Sequence, residues 1–223
     1  MEADDNRTES SEKAVISRGP IPVVTSLLVA NVVIFIALLG APYLGLQHLA
    51  LWPLGVETGM QMPPGMAAGE FRPWQLVTYA FLHGGLLHLF INMFVLWMFG
   101  SAMERAWGSS TFALYYGVCI LGAGVVQLLM TSSGLTPAAP ALGASGGVFA
   151  ILLAFGMTFP NQVVVLLIPP IPMKAKYFVV LIGIVELVVG VTGTQQGVAN
   201  FAHLAGMVFG LLFILALRPS VKH

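Results

Sequence analysis

Four polar side chains in strongly apolar stretches carry the groups that acyl transfer needs: Ser145, His88, Asn92 and His203. An imidazole such as that of His203 can accept the hydroxyl proton of Ser145 and later return it to a leaving group. The developing oxyanion needs hydrogen-bond donors. His88 and Asn92 can supply them, together with backbone N–H groups at the head of the helix that follows Ser145. The elements that carry these residues must therefore bring distant segments together.

Each segment alone also fits a simpler explanation. Ser145, in GASGGVFA, could cap a helix. His88 and Asn92 are four residues apart, so they share a helix face and could form a buried interhelical pair. A metal site is a further alternative, although no carboxylate or cysteine lies nearby and HExxH is absent. His203 shares its face with Gly206 and Gly210, which is typical of close helix packing.

The composition indicates an all-α polytopic membrane protein. Of the 223 residues, 57% are hydrophobic and 8% are charged, whereas a soluble domain carries about 25% charged residues. Nine basic residues balance nine acidic ones, so nothing in the charge favours a nucleic-acid partner. The single cysteine, Cys119, excludes an intrachain disulfide and lies in an apolar run, which predicts a packing role. We predict the lipid bilayer as the environment, and neither a cofactor nor a metal.

Six apolar segments come close to the roughly 20 residues that a membrane span requires. They predict a six-helix membrane domain over residues 23–217, between a flexible cytosolic N-terminal tail, 1–22, and a short cytosolic C-terminal tail, 218–223. The segment 41–84 is a long first outer loop, and such loops are either functional or partly structured. The predicted spans are 23–40, 85–103, 111–131, 143–159, 175–192 and 199–217.

The basic residues test this layout, because cytoplasmic loops of membrane proteins are enriched in lysine and arginine. With the N-terminus inside, eight of the nine basic residues fall on the inner side and only Arg72 falls outside. This asymmetry favours six spans with both termini in the cytosol. The inner basic residues are Arg7, Lys13, Arg18, Arg105, Lys174, Lys176, Arg218 and Lys222.

The same orientation places the polar residues at one depth. The second, fourth and sixth spans all enter from the outer side, and Ser145, His203, His88 and Asn92 all fall in their outer halves. Charge counting used none of these residues, so the agreement favours a shared site. A carboxylate partner is harder to find, because both aspartates lie in the tail and Glu186 is predicted at mid-membrane depth, where it is functional or paired. A two-residue dyad is the simpler expectation.

Four motifs in this order resemble those of the rhomboid intramembrane serine proteases. GASG is similar to the GxSG nucleophile motif, and AHLAG is similar to the AHxxG histidine motif. HGGLLHLFIN resembles HxxxxHxxxN, and GSAMERAWG resembles the Gly/Glu/Gly signature of the family. The resemblance covers about residues 70–217. The motifs occupy residues 143–146, 202–206, 83–92 and 100–108.

The resemblance implies a six-helix rhomboid-like bundle and a serine endopeptidase that cleaves membrane proteins in or beside a transmembrane segment. Ser145 would be the nucleophile and His203 the general base and acid, in a water-accessible site in the outer half of the bilayer. The loop 192–199 and the fifth helix would act as cap and gate, and the membrane would be a bacterial cytoplasmic membrane. The remaining implied site residues are His88, Asn92 and the Ser145 backbone for the oxyanion hole, and His83, Gly143, Gly146, Phe149 and Gly206 as supporting residues.

Phe149 departs from the family pattern, since many bacterial members carry a tyrosine one turn after the serine. Its ring can still pack on His203, but a phenol hydrogen bond is lost. Two other functions stay open. A proton-coupled transporter could use Glu186 and the histidines, although no repeated half or pair of broken helices is evident. A non-catalytic rhomboid-like protein could bind membrane clients, although such relatives lack the serine or the histidine, and both are present here.

Overall fold

The computed structural model describes residues 22–55, 68–165, 170–193 and 199–221. The predicted tail 1–22, apart from Pro22, and most of the loop 192–199 lie outside these residues, as do the last two residues of the predicted C-terminal tail. Eight α-helices and one short 3₁₀ helix, Tyr79–Phe81, occur in the described ranges. The α-helices are α1 (Val23–Leu38), α2 (Pro42–Leu49), α3 (Gln75–Thr78), α4 (Leu86–Trp107), α5 (Ser109–Ser132), α6 (Ser145–Thr158), α7 (Ala175–Thr192) and α8 (Asn200–Leu217).

Six of these helices are the predicted apolar segments. By length and composition α4, α5, α7 and α8 can each cross a membrane, whereas α1 and α6 are shorter apolar helices of 16 and 14 residues. The prediction of an all-α polytopic membrane bundle is confirmed. At about 1.5 Å per residue, α6 is only about 21 Å long, which is shorter than the roughly 30 Å hydrocarbon core of a bilayer.

The start of α6 differs from the prediction by two residues. The apolar run begins at Gly143, but the helix begins at Ser145. Gly143 has a φ of 125°, a backbone conformation that is open to glycine and strained for other residues, so it cannot be a helical residue. Gly143 therefore belongs to the turn that leads into the helix.

Helix α4 contains a π-helical turn at Leu96–Gly100 that the apolar pattern did not predict. After this turn the chain reaches Glu104, whose buried carboxylate accepts hydrogen bonds from the backbone N–H groups of Val23, at 2.7 Å, and Val24, at 2.9 Å. The Ser109 hydroxyl donates to the same carboxylate at 2.6 Å. A negative charge at the first turn of α1 satisfies orphan N–H groups and complements the helix dipole.

The long segment between α1 and α4 is largely folded where it is described. Gln75 is fully buried, and its side-chain oxygen accepts hydrogen bonds from the backbone N–H groups of Trp52 and Arg72, each at 3.2 Å. Leu51 pairs with Ala141 through two backbone hydrogen bonds of 2.9 Å. This segment therefore fixes the chain immediately before α6.

The connection between α6 and α7 contains a short antiparallel hairpin that the sequence analysis did not predict. Its strands are β1 (Val163–Val165) and β2 (Pro172–Lys174), with Val164 opposite Met173. The hairpin lies at the end of the bundle away from Ser145, so it does not contribute to the site described below.

Helix α6 is the centre of the bundle because glycines let its neighbours approach on several sides. A side chain at Gly147 would collide with Tyr116 of α5, and one at Gly156 would collide with Val179 of α7. The carbonyl oxygen of Gly146 contacts Gly206 of α8 directly. This helix is therefore packed on more than one side, and the main core surrounds it.

Candidate active site

The structure brings Ser145 and His203 together. Ser145 is the first residue of α6, His203 is the fourth residue of α8, and the hydroxyl oxygen lies 2.7 Å from Nε2 of the imidazole. The capping explanation for Ser145 receives no support, because Ala144 is the N-cap and this end of α6 has no side-chain cap among the described residues. The hydroxyl is instead engaged with a base on another helix.

A close approach of two backbones sets the Ser145–His203 distance. Gly206 lies one turn after His203, and a Cβ atom at Gly206 would overlap the carbonyl oxygen of Gly146, the residue after the serine. Only glycine permits this contact, since the obstacle is backbone and cannot move aside as a flexible side chain would. Gly206 and Gly146 thus bring α8 and α6 close enough for the hydroxyl and imidazole to meet.

Phe149 packs flat against the imidazole. The ring centroids of Phe149 and His203 are 4.4 Å apart and the ring planes differ by 6°. Phe149 is one turn beyond Ser145 on α6, as the sequence spacing indicates. Stacking on one face of the imidazole restricts its rotation and therefore helps to keep Nε2 directed at Ser145.

Glu186 has a partner that the sequence analysis, which expected it to be functional or paired, did not name. Its carboxylate lies 3.0 Å from Nδ1 of His203, on the opposite side of the ring from Ser145. The Asn200 amide donates a hydrogen bond of 2.7 Å to the same carboxylate oxygen. Glu186 stands six residues before the last residue of α7, close to the beginning of α8, and this position brings its carboxylate level with His203.

Asn200 is a site residue that sequence reasoning missed. It is buried, and it precedes His203 by three residues, so the two share a face of α8. That spacing was available in the sequence as the Asn in NFAH. A polar residue one turn before a candidate base could therefore have been recognised as part of the same constellation.

His88 lies beside the turn that leads into Ser145. A Cβ atom at Gly143 would be 3.0 Å from Nε2 of His88 and 3.6 Å from the Ser145 hydroxyl oxygen, so both groups border the same small space. The backbone N–H of Gly84 points to Nδ1 of His88 at 3.4 Å. A neutral ring that accepts at Nδ1 carries its proton on Nε2, the nitrogen nearer to Ser145.

Asn92 is buried on the same face of α4, one turn after His88. Its amide nitrogen donates a hydrogen bond of 2.9 Å to the His88 carbonyl within the helix. Among the described contacts neither Asn92 nor His88 hydrogen-bonds to Ser145. Their assignment as oxyanion donors therefore stays a prediction.

The turn before α6 is anchored by the segment that precedes α4. The backbone N–H of Gly143 donates a hydrogen bond of 2.9 Å to the carbonyl of Tyr79, whose phenol donates to the Ile120 carbonyl at 2.8 Å. This contact joins the loop before Ser145 to α5, and Tyr79 is a supporting residue that sequence reasoning missed.

His83 lies just before α4 and packs against His88. The two ring centroids are 5.0 Å apart in an edge-to-face arrangement, and both ring nitrogens of His83 are buried. Burial lowers the pKa of His83 to about 4, and the neighbouring His88 ring contributes to the decrease. A neutral imidazole fits the predicted structural role of His83. None of the described contacts joins His83 to Ser145 or His203, so this role stays a prediction.

Metal binding receives no support from geometry. Within the described ranges, no three histidine, cysteine, aspartate or glutamate side chains lie close enough to hold an ion. His83 and His88 contact each other, but no carboxylate of the described residues joins them. The expectation of a metal-free site stays a prediction.

Curated proteins of several organisms are similar to this chain. RHOMBOID-like protein 4 of Arabidopsis thaliana is 32% identical over 181 residues, which is 80% of this chain and 42% of that protein. Rhomboid protein 1, mitochondrial, of Saccharomyces cerevisiae is 31% identical over 149 residues, covering 66% of this chain and 42% of that protein. Rhomboid protease GluP of Bacillus subtilis is 39% identical over 87 residues, covering 39% of this chain and 16% of that protein.

The chain spans about half or less of the length of these curated relatives. A family model described as the Rhomboid domain matches residues 70–220, which is more than half of the chain. The matched region runs from just before α3 to the end of α8 and contains Ser145, Glu186 and His203. With the helical bundle and the four motifs in their expected order, this match shows that the chain belongs to the rhomboid family.

Proposed function

We propose that this protein is an intramembrane serine endopeptidase in which Ser145 is the nucleophile and His203 is the general base and acid. The observation that carries the proposal is the 2.7 Å distance between the Ser145 hydroxyl oxygen and Nε2 of His203. A hydroxyl is a weak nucleophile until a positioned base accepts its proton. A buried imidazole within hydrogen-bond reach, on a different helix, meets that requirement.

The reaction proceeds in two halves. Ser145 Oγ attacks the peptide carbonyl carbon while Nε2 of His203 takes the hydroxyl proton, which gives a tetrahedral oxyanion. The C–N bond then breaks, the imidazolium returns the proton to the leaving amine, and an acyl-serine ester remains. In the second half His203 deprotonates a water molecule that attacks the ester. Collapse of this second tetrahedral species releases the new carboxyl end and restores the Ser145 hydroxyl.

The oxyanion is proposed to form beside the first turn of α6. Backbone N–H groups there have no partner within the helix, and the helix dipole favours negative charge. His88 supports the arrangement, because the tautomer that accepts from Gly84 carries its proton on the ring nitrogen near Ser145. Asn92 follows on the same helix face with one amide proton bonded to the His88 carbonyl, which leaves the second amide proton for the oxyanion.

Replacing Asn92 with alanine is expected to lower kcat for a membrane substrate by about 10²–10³-fold, the usual effect of losing one oxyanion donor. Ser145 should still react with a small fluorophosphonate, since its base is unchanged. The measurement is steady-state cleavage of a transmembrane peptide in detergent or liposomes, with probe labelling in parallel.

Asn31→Ala is the matched control for Asn92→Ala. Asn31 is also buried, and its amide also donates to a carbonyl four residues earlier in its own helix, at 2.8 Å, but it lies on α1. The control variant should therefore keep the wild-type kcat. If a double variant of His88 and Asn92 to alanine also kept the wild-type kcat, the oxyanion assignment would be wrong.

The substrates are proposed to be membrane proteins cleaved in or beside a transmembrane segment. Two helices near the site present apolar faces to the surroundings: Leu86, Leu87 and Phe90 of α4 are exposed, as are Ile184, Val188 and Val191 of α7. A polypeptide that approaches Ser145 laterally must pass such lipid-facing surfaces. A hydrophobic segment already in the bilayer has the matching chemistry.

The protein is an integral membrane protein, and we propose that both termini face the cytosol of a bacterial cell. Lysine and arginine asymmetry supports this orientation. The names of two curated relatives from Arabidopsis thaliana and Saccharomyces cerevisiae include the word mitochondrial, which is a statement about those proteins. Under the proposed orientation the site opens toward the outer side of the membrane.

Single introduced cysteines test the orientation. Ser133→Cys, after α5, should react with a membrane-impermeant maleimide in intact cells, whereas Ser110→Cys, at the start of α5, should react only after permeabilisation. Both positions are exposed, and the native Cys119 is fully buried, so background labelling should be low. The reverse pattern would contradict the proposed orientation.

A direct test of the function uses the purified wild-type chain. A fluorophosphonate should modify Ser145, displacing fluoride, and a panel of transmembrane peptides should be cleaved at sites that mass spectrometry can locate. A folded wild-type protein that neither reacts with the probe nor cleaves any peptide would overturn the proposal and favour a client-binding role. Proton flux in protein-containing liposomes would instead favour the transporter.

A further inference from the structure

Glu186 presents a carboxylate on α7, a helix whose residues are mostly exposed. The Glu186 side chain is nevertheless only 14% exposed and the His203 side chain only 10%. A carboxylate within a membrane segment is costly, by about 2.5–3.5 kcal/mol for aspartate at the centre of a span. Such residues are rare unless a partner or a function retains them.

Small residues on the same face of α7 allow it to approach α8 at this point. A side chain at Gly190, one turn after Glu186, would come within 3.1 Å of the Asn200 Cβ atom. One at Gly183, one turn before Glu186, would come within 3.4 Å of Met207. The contact of α7 with α8 is therefore centred on Glu186 and His203.

The carboxylate engages the ring nitrogen that Ser145 does not use. Glu186 lies 3.0 Å from Nδ1 of His203, while Ser145 lies 2.7 Å from Nε2. A neutral imidazole has one proton, so a ring that donates from Nδ1 to the carboxylate has a free lone pair on Nε2. The Asn200 amide holds the carboxylate in place from the other side, at 2.7 Å. If the Glu186–His203 contact only joined two helices, the carboxylate could bond either ring nitrogen of His203. Here it bonds Nδ1 and leaves Nε2 to Ser145.

We propose that Glu186 is a positioning residue that completes a serine–histidine–glutamate array with Ser145 and His203. Its carboxylate fixes the tautomer of His203 with the proton on Nδ1 and stabilises the imidazolium that forms when Nε2 takes the serine proton. The inference rests on the proposed function, since it assigns Glu186 a part in the activation of Ser145. It also explains why a carboxylate is retained on α7 at this position.

Glu186→Gln is the first test. The glutamine keeps the size of the side chain but removes the charge, and its NH₂ group can donate to Nδ1, which forces the imidazole proton onto Nε2. In the serine–histidine–aspartate template the corresponding amide lowers kcat by about 10⁴, and we expect a decrease of about 10²–10⁴ here with little change in KM. Glu186→Asp restores the charge on a shorter side chain and should recover part of kcat.

Glu104→Gln is the matched control. Glu104 is a second buried carboxylate in the bundle, but its partners are the backbone of α1 and Ser109. This variant should lose thermal stability while the kcat of the folded fraction stays at the wild-type value. Equal decreases of kcat in Glu104→Gln and Glu186→Gln would show that both carboxylates act through stability alone, and would overturn the inference.

A spectroscopic readout needs no variant at residue 186. In wild-type protein with ¹⁵N-labelled histidine, at a pH where the ring is neutral, the His203 proton should reside on Nδ1. The resonances can be assigned by their loss in His203→Ala. A wild-type ring protonated on Nε2, or wild-type kcat in a folded Glu186→Gln, would overturn the role of Glu186 while leaving the protease intact. A wild-type protein without probe labelling or cleavage would overturn both.

Discussion

Replacing His203 with alanine is expected to lower kcat for peptide cleavage by about 10⁶-fold, because removal of a general base from a serine hydrolase has an effect of that size. The imidazole is the group within hydrogen-bond distance of the Ser145 hydroxyl, and its Nε2 atom lies 2.7 Å away. Without it the hydroxyl must lose its proton to water in a largely buried site. Fluorophosphonate labelling of Ser145 should fall in parallel, and both quantities can be measured on the same purified variant.

When two residues act as a unit, the effects of substituting them on kcat are not additive. This property gives a sharper test of the Ser145–His203 pair. Ser145→Ala should lower kcat about as far as His203→Ala, and the double variant should be no slower than either single one. His48→Ala is the matched control, because His48 is exposed on α2 and its described hydrogen bonds use its carbonyl oxygen. A multiplicative loss in the double variant would show that Ser145 and His203 work independently.

Gly206→Ala is expected to cost about 3 kcal/mol of folding free energy, at the upper end of the range for overpacking substitutions. The added methyl group would overlap the Gly146 carbonyl oxygen, so α8 and α6 must separate. In a chain of this size the change corresponds to a decrease in Tm of about 6–12 °C. The fraction that still folds should also have a lower kcat, since a displacement of about 1 Å in a catalytic pair can lower the rate by about 10²-fold.

Gly117→Ala is the matched control for Gly206→Ala. Gly117 lies inside α5, and a Cβ atom there would meet nothing within 4 Å. Alanine is favoured over glycine inside a helix by about 1 kcal/mol, so this variant should be as stable as the wild type or more stable. Wild-type Tm and kcat in Gly206→Ala would show that the helices can separate without disturbing the site, which would contradict the proposed role of Gly206.

Sequence reasoning located the apolar helices well because hydrophobic runs report burial in the membrane directly. Their observed bounds lie within a few residues of the predicted ones, and the motifs on α4, α6 and α8 were assigned to the correct helices. Charge asymmetry and spacing also indicated that Ser145 and His203 lie at one depth. Apolar runs and residue spacing can be read from short stretches of the sequence, and the charge asymmetry is a count over such stretches.

The features that were missed depend on contacts between helices. Glu186 was given no partner, because a helical pattern shows which residues share a face but does not show which neighbour that face meets. The π-helical turn of α4 and the turn at Gly143 change the local register, and the apolar pattern carries no sign of either. The Gln75 and Tyr79 contacts likewise depend on how a long connecting segment folds back on the bundle.

The distribution of the site over α6, α7 and α8 has a consequence for biosynthesis. Ser145 and His203 are 58 residues apart, and α8 is the last of the described helices to leave the ribosome. Helices that have entered a membrane associate afterwards through packing and interhelical hydrogen bonds. A nascent chain that has inserted α6 but not α8 therefore carries Ser145 without the imidazole of His203. Under the proposed function, such a chain would mature beside other membrane proteins before it could attack them.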